Sequence, residues 1–168
     1  MIPKKLTTNE KIGYYYNKDF AKQLIIQDAI EDGHIIYGAN AINAQVTPQF
    51  QKHTEDIDIK VKNPKKEAKQ MEKKLDKAYG GNFFSTKKAR YKDTYKVKSN
   101  VTGNTVVDYT KQRKKVQVKQ ILGTKYEDLD SIKKSINKTL RDESSAFRHD
   151  KDMEALQRIK LNEAQLDW

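Results

Sequence analysis

Ile57-Asp58-Ile59-Lys60-Val61 alternates apolar and polar residues with a period of two, and Asn63-Pro64 closes the run, so this segment reads as a strand with one face on a core. Ile57 and Ile59 face that core. Asp56 and Asp58 project to the other side, about 7 Å apart along the backbone. Two carboxylates aimed together repel unless cations join them.

Other elements can be placed around this strand. Asn17 is a plausible N-cap, followed by Phe20, Leu24 and Ile30 near helical spacing and by Gly33 as a stop, which predicts a helix over about 18–31. His34-Ile35-Ile36-Tyr37 is short, β-branched and aromatic, and reads as a buried strand entering a tight turn at Gly38. Asn40 to Gln45 can hold one or two helical turns before Pro48. Asn63 and Pro64 open a helix with Ala68, Met71, Leu75 and Ala78 on one face and lysines on the other, ended by Gly80-Gly81. From Phe83 to Leu122 the pattern is strand-like: Arg90 to Lys98, a turn at Thr102-Gly103-Asn104, Thr105 to Tyr109, then Val116 to Ile121, an expected antiparallel meander. The remainder is helical, first through Leu129, Ile132, Ile136 and Leu140, then through Phe147, Met153, Leu156 and Ile159.

A length of 168 residues suits one domain with a modest core and excludes two large ones. No cysteine is present, which removes disulfides, thiolate metal sites and cysteine nucleophiles and makes an intracellular, reducing setting the simpler expectation. Neither the first residues nor any later run is apolar enough for a signal or a bilayer span, so a soluble, cytoplasmic protein without a membrane partner is expected. His34, His53 and His149 match no HExxH spacing, and neither a GxSxG elbow nor a GxxxxGK[ST] loop occurs.

The charge is uneven. Residues 60–119 carry 19 Lys and Arg against 5 Asp and Glu, a net of +14, whereas the segments before and after are at −2 and −1 and the whole chain is at +11. Such a stripe attracts polyanions, although a solvated lysine-rich surface has the same composition.

Three features fall in a telling order: a strand ending in Tyr37-Gly38-Ala39-Asn40, a strand opening Thr54-Glu55-Asp56-Ile57-Asp58-Ile59, and a later strand Thr105-Val106-Val107-Asp108-Tyr109. Asp108, on a strand that can lie beside the first, adds a third carboxylate, and hard oxygen ligands of this kind suit Mg²⁺ or Mn²⁺. In this order the chain resembles the DNA polymerase beta-type nucleotidyltransferase superfamily over about residues 20–122. The resemblance implies that Gly38 and Ala39, with Asn40, form the turn against the nucleotide phosphates. It further implies that Asp56 and Asp58 are a metal-holding DxD pair and that Asp108 completes the metal site near the acceptor hydroxyl. More loosely, Arg148, Lys151 and Asp152 look like the Lys-Asp-bearing helix that follows the palm in minimal members. Ala39 replaces the usual second Gly or Ser, the 18-residue step from Gly38 to Asp56 is long for the smallest members, and no separate helical domain follows.

Each feature also has a structural reading. Asp-x-Asp is common on polar strands. Tyr79-Gly80-Gly81-Asn82 echoes the first glycine turn but follows a helix and reads as its C-cap. Asn40 and Asn43 can touch nucleotide or bond locally. Lys87, Lys88, Arg90 and Lys92 can bind triphosphate or a nucleic-acid backbone, or equally solvate a sheet edge. Tyr14-Tyr15-Tyr16 fits packing against the first helix better than base stacking. His149 and Trp168 read as surface or packing residues.

The expected architecture is a single α+β domain over 1–168: a nucleotidyltransferase-like palm, about 18–122, with a mixed sheet and helices on one face, then a C-terminal helical pair, about 128–161. The resemblance implies an Mg²⁺- or Mn²⁺-dependent enzyme that moves a nucleoside monophosphate from a nucleoside triphosphate to an acceptor, most simply a nucleic-acid 3′ end, and releases pyrophosphate. A non-catalytic basic nucleic-acid-binding protein on the same fold and a protein-modifying nucleotidyltransferase are the alternatives.

Overall fold

A computed structural model of the chain describes residues 5–166; Trp168 lies outside them. Seven strands, β1 (Ile35–Tyr37), β2 (Ile57–Val61), β3 (Phe84–Lys88), β4 (Thr94–Ser99), β5 (Thr105–Lys111), β6 (Val118–Ile121) and β7 (Thr124–Glu127), form one mixed sheet in the order β3-β4-β5-β2-β1-β7-β6. β2 is antiparallel to β1 and parallel to β5. The helices are α1 (Thr8–Tyr16), α2 (Lys18–Asp32), α3 (Gly38–Gln45), α4 (Pro64–Tyr79), α5 (Leu129–Leu140) and α6 (His149–Leu166).

Burial follows the alternation in β2. Ile57, Ile59 and Val61 are buried, with Ile36, Val107 and Tyr109 of the neighbouring strands, against Ala21, Ile25 and Ala29 of α2 and Ala68, Met71 and Leu75 of α4. Each large aliphatic side chain so buried contributes about 1.5–3 kcal/mol. The other face of β2 and β5 therefore carries Asp58, Lys60, Asp108 and Thr110. A second apolar cluster joins Ile42 of α3 to Ile132 and Ile136 of α5 and Leu156 and Ile159 of α6, which ties the C-terminal helices to the end of β1. The α+β class, the mixed sheet, the helices on one face and the C-terminal helical pair agree with the sequence-based expectation.

Four details differ from it. The buried row of α2 is Ala21, Ile25 and Ala29, not Phe20, Leu24 and Ile30; the alanines let the helix approach the sheet closely, and Phe20 packs instead on Tyr79 at 6.0 Å between ring centroids. The segment expected to close the meander is β6, and it lies at the far edge of the sheet from β4. Leu122 and Gly123, with φ of 49° and 86°, form a two-residue hairpin turn that pairs β6 with β7, and β7 then runs parallel to β1. Phe147 and Met153 are about half exposed, leaving Leu156 and Ile159 as the apolar contacts of α6. Finally, α1 is an additional helix. Its signal is Thr7-Thr8-Asn9-Glu10, a capping box in which Thr7 Oγ1 accepts from the Glu10 amide and Glu10 Oε1 from the Thr7 amide. α1 buries Tyr14 against Tyr79, Phe83 and Phe84 and leaves Tyr15 and Tyr16 exposed, while Gly80, with φ of 79°, caps α4 as expected.

Candidate active site

Strand register assembles the carboxylates. Asp58 lies opposite Tyr37 on β1 and opposite Asp108 on β5, so residues far apart in sequence become neighbours on the open face of the sheet. One carboxylate oxygen from each of Asp56, Asp58 and Asp108 lies within 4.8 Å of the other two. Asp56, just ahead of β2, is held by its neighbours: Thr54 donates to its carboxylate at 3.0 Å, and the Asn40 side-chain amide donates to its carbonyl at 2.6 Å. Asn43 bonds the Lys52 carbonyl and amide in the same connection. Asn40 is thus a positioning residue for the first carboxylate, a role invisible in the sequence because its partner is 16 residues away.

Gly38 brings the turn against this cluster. It begins α3 with φ of +69°, and a Cβ placed on it would overlap an Asp58 carboxylate oxygen and lie 3.2 Å from its Cγ. Among the described residues no side chain caps α3, so its first-turn N–H groups at Gly38, Ala39 and Asn40 face no side-chain acceptor there at the helix's positive end. Behind the turn, the Tyr37 hydroxyl meets Thr110 Oγ1 at 2.6 Å, and Lys60 pairs with Glu127 while lying over the Tyr37 ring.

The electrostatics follow from crowding. Burial and then the Asp56 charge push the Asp58 carboxyl up to about 7, against the opposing pull of Arg148 and Lys151. Burial and the charge of Asp58 likewise hold Asp108 well above the usual carboxylate range. Three clustered carboxylates, Asp58 and Asp108 among them with raised proton affinity, form an all-oxygen donor set with an excess of negative charge, which fits a hard divalent cation such as Mg²⁺ or Mn²⁺. A pH dependence follows. Ordinary Asp titrates near 3.9 in the unfolded chain, so between about pH 4 and 7 the native state binds more protons, and stability falls as pH rises through that window. The melting temperature of metal-free protein is therefore expected to drop from pH 5 to pH 8, and 10-millimolar-scale Mg²⁺ to restore it at pH 8 but not at pH 5. A flat melting profile from pH 5 to 8 without metal would contradict this account.

Cations line up beside the carboxylates. Lys87 pairs with Lys96, Lys96 with Asp108, and Asp108 with Asp58, so the four form one row across β3, β4, β5 and β2 on the open face. Lys87, Lys88, Arg90 and Lys92 are all exposed on β3 and the connection to β4. That connection also meets the C-terminal segment: Arg90 lies 4.4 Å from the Phe147 ring centroid, Tyr91 packs edge-on to Phe147, and Arg148 sits over Tyr91 while bonding the buried Asp152. Arg148 and Lys151 thereby bring positive charge to Asp58 from outside the sheet. Tyr91, which no sequence motif marks, holds Arg148 in place. His149 is satisfied by the Thr139 and Asp142 carbonyls.

No protein-family model and no curated protein matches the sequence. Among solved structures, the crystal structure of the Megavirus polyadenylate synthase overlays on 88% of this chain with a TM-score of 0.70 at 18% identity. The fold is nucleotidyltransferase-like. The chain spans 32% of that protein's length, and the likeness is one of fold. JHP933 from Helicobacter pylori overlays on 81% of this chain and 58% of its own, with a TM-score of 0.43 and 12% identity, too loosely to bear on the palm. Among the described residues, no helix is long and apolar enough to cross a membrane.

Proposed function

We propose that this chain is a nucleotidyltransferase that moves a nucleoside monophosphate from a nucleoside triphosphate to a nucleic-acid 3′ end and releases pyrophosphate. The observation that carries the reading is the convergence of Asp56, Asp58 and Asp108 beside a glycine turn at an uncapped helix N-terminus. Bound Mg²⁺ or Mn²⁺, held by these three carboxylates, would supply charge stabilisation for the attacking and leaving oxygens. The chain's own residues do the rest. Gly38 lets the backbone approach a phosphate, and the N–H groups at the start of α3 donate to its oxygens. Asn40 and Thr54 fix Asp56. Asp108, beside Asp58 on β5, would complete the metal site on the side of the acceptor hydroxyl and help to position that hydroxyl for attack. Lys87, Lys96, Arg148 and Lys151 flank the carboxylates and attract the polyanionic substrates.

Incubating the full chain with each labelled triphosphate, Mg²⁺ or Mn²⁺, and RNA, DNA and protein acceptors tests this directly. ATP and an RNA 3′ end come first, since the structural neighbour is a polyadenylate synthase. Incorporation into a nucleic-acid 3′ end with stoichiometric pyrophosphate supports the reading, and incorporation into protein alone moves the acceptor to a protein hydroxyl. Absence of incorporation under all conditions favours a non-catalytic binding protein.

Nucleic-acid binding should depend steeply on salt, because each neutralised phosphate of a single strand releases counterions and adds about −0.7 to the log–log slope. Replacing Lys87, Lys88, Arg90 and Lys92 together by Ala is expected to flatten that slope by up to about 0.7 for each phosphate that is no longer neutralised. Filter binding across a salt series measures it, and an unchanged slope places the nucleic-acid path elsewhere on the surface.

A further inference from the structure

The helical face of the sheet holds a second cluster of ligating groups, with a composition different from the first. Asp28 and Asp32 stand one turn apart on α2 and share a face. Gly33, left-handed with φ of +67°, reverses the chain, and the His34 amide returns to the Ala29 carbonyl at 2.9 Å, which brings the imidazole back over the helix end. Glu67, in the first turn of α4, completes the group, its Oε1 lying 4.0 Å from His34 Nε2. One ligand atom from each of the four residues lies within 4.8 Å of all the others. Asp28 is buried and Asp32 exposed, so the cluster is rooted in the core yet open to solvent at one corner.

A separate observation points to a ligand here. Tyr109 on β5 is 0% exposed, and its hydroxyl has no hydrogen-bond partner among the described residues. Apart from burial, the charges that bear on this phenol are those of Asp28, Glu67 and Asp32, so a buried donor lies within the field of the cluster. Buried hydroxyls almost always find a partner. A metal-bound carboxylate or water would be one, as in the outer shell of many metal sites. His34 Nδ1 is also buried without a partner among the described residues. Lys74, ion-paired with Asp28, balances the charge: three carboxylates against one divalent ion and one ammonium.

We propose that Asp28, Asp32, His34 and Glu67 bind one zinc-type divalent ion that clamps α2, the start of β1 and α4 together. Three oxygens and one imidazole nitrogen suit a borderline-soft ion better than Mg²⁺ or Ca²⁺, and four protein ligands are the number of a closed structural zinc site. Zinc takes these ligands at about 2.0–2.2 Å, a contraction that side-chain rotation can supply. No spacing motif marks the site because its ligands come from three elements. Asp108 and Tyr109, adjacent on β5, point to opposite faces, so the clamp backs directly onto the carboxylates of the open face.

The experiment uses the full chain carrying Asp56→Asn, which disables the all-oxygen cluster, stripped with chelator and titrated with Zn²⁺ by calorimetry and with Co²⁺ by visible absorption. One equivalent of Zn²⁺ is expected, together with Co²⁺ d–d bands of a four-coordinate site and a zinc-dependent rise in melting temperature. Adding His34→Gln or the exposed Asp32→Asn should weaken zinc binding at least 10- to 100-fold, a range reached by removing outer-shell partners alone. The same change should abolish the melting shift, while the exposed His53→Ala should change nothing. Asp32 lies at the surface, so its metal-free variant should melt like its parent. The proposal is overturned if no zinc binds, if the Co²⁺ spectrum is unaltered by both substitutions, or if His53→Ala removes the site instead.

Discussion

Asp58→Asn is expected to lower nucleotide transfer by roughly 10²–10³-fold, the scale lost when one charge-stabilising group is removed from a preorganised site. Asp58 is the central member of the cluster: it is cross-strand neighbour to Asp108, its proton affinity is raised by burial and by the Asp56 charge, and its carboxylate fills the space that the missing Cβ of Gly38 leaves open. Asparagine keeps that shape and removes the charge. The same substitution should therefore stabilise the metal-free protein at pH 8, where the native carboxylate is held charged against its environment, and should blunt the response of the melting temperature to Mg²⁺. Opposite signs for activity and metal-free stability separate a functional carboxylate from a structural one. Single-turnover transfer measured beside thermal melts at pH 8 decides it, and a variant with wild-type transfer rates would remove Asp58 from the chemistry.

Gly38→Ala should produce the second large effect, and Gly103→Ala is its control. Both glycines have left-handed backbones, with φ of +69° and +76°, so an alanine at either costs about 1–2 kcal/mol in strain. Only at Gly38 does the new methyl meet a side chain, the Asp58 carboxylate; at Gly103 nothing lies within 4 Å. Overpacking of that kind adds about 1–3 kcal/mol. For a chain of this size each kcal/mol lowers the melting temperature by about 2–4 °C. Gly103→Ala should consequently lose only a few degrees and keep its activity. Gly38→Ala should lose more and transfer about 10²-fold more slowly, since a displacement of about 1 Å at a reacting centre has that consequence. Equal activities for the two variants would mean that the turn does not touch the carboxylate pair during turnover.

Much of the palm is legible in the sequence because the relevant signals are local. Alternation in Ile57 to Val61 fixes which face of that strand is buried, whatever it pairs with, and so it fixes that Asp58 points away from the core. Asn63-Pro64 and Gly80-Gly81 bound α4 by backbone preference alone. The signal of α1 is equally local, a capping box, but its low apolar content hides the helix from a search for hydrophobic periodicity. In α2 the large apolar residues dominate a periodicity count and point to the wrong row, whereas the close approach of helix to sheet selects alanine.

What the sequence determined by itself is therefore the set of elements around the site, the open-face placement of Asp58 and the glycine turn that precedes it, all set by φ/ψ preference and side-chain period over a few residues, whereas Asp56 is set by its bond from Asn40. Tertiary structure decided which strands are neighbours. Parallel pairing of β2 with β5 sets Asp108 beside Asp58, the Leu122-Gly123 turn sends β6 to the far edge, and the C-terminal segment brings Arg148 to the carboxylates through Tyr91. The cluster of Asp28, Asp32, His34 and Glu67 likewise exists only once α2, β1 and α4 pack. Such juxtapositions depend on which buried surfaces fit together across long stretches of chain, and no local preference encodes that fit.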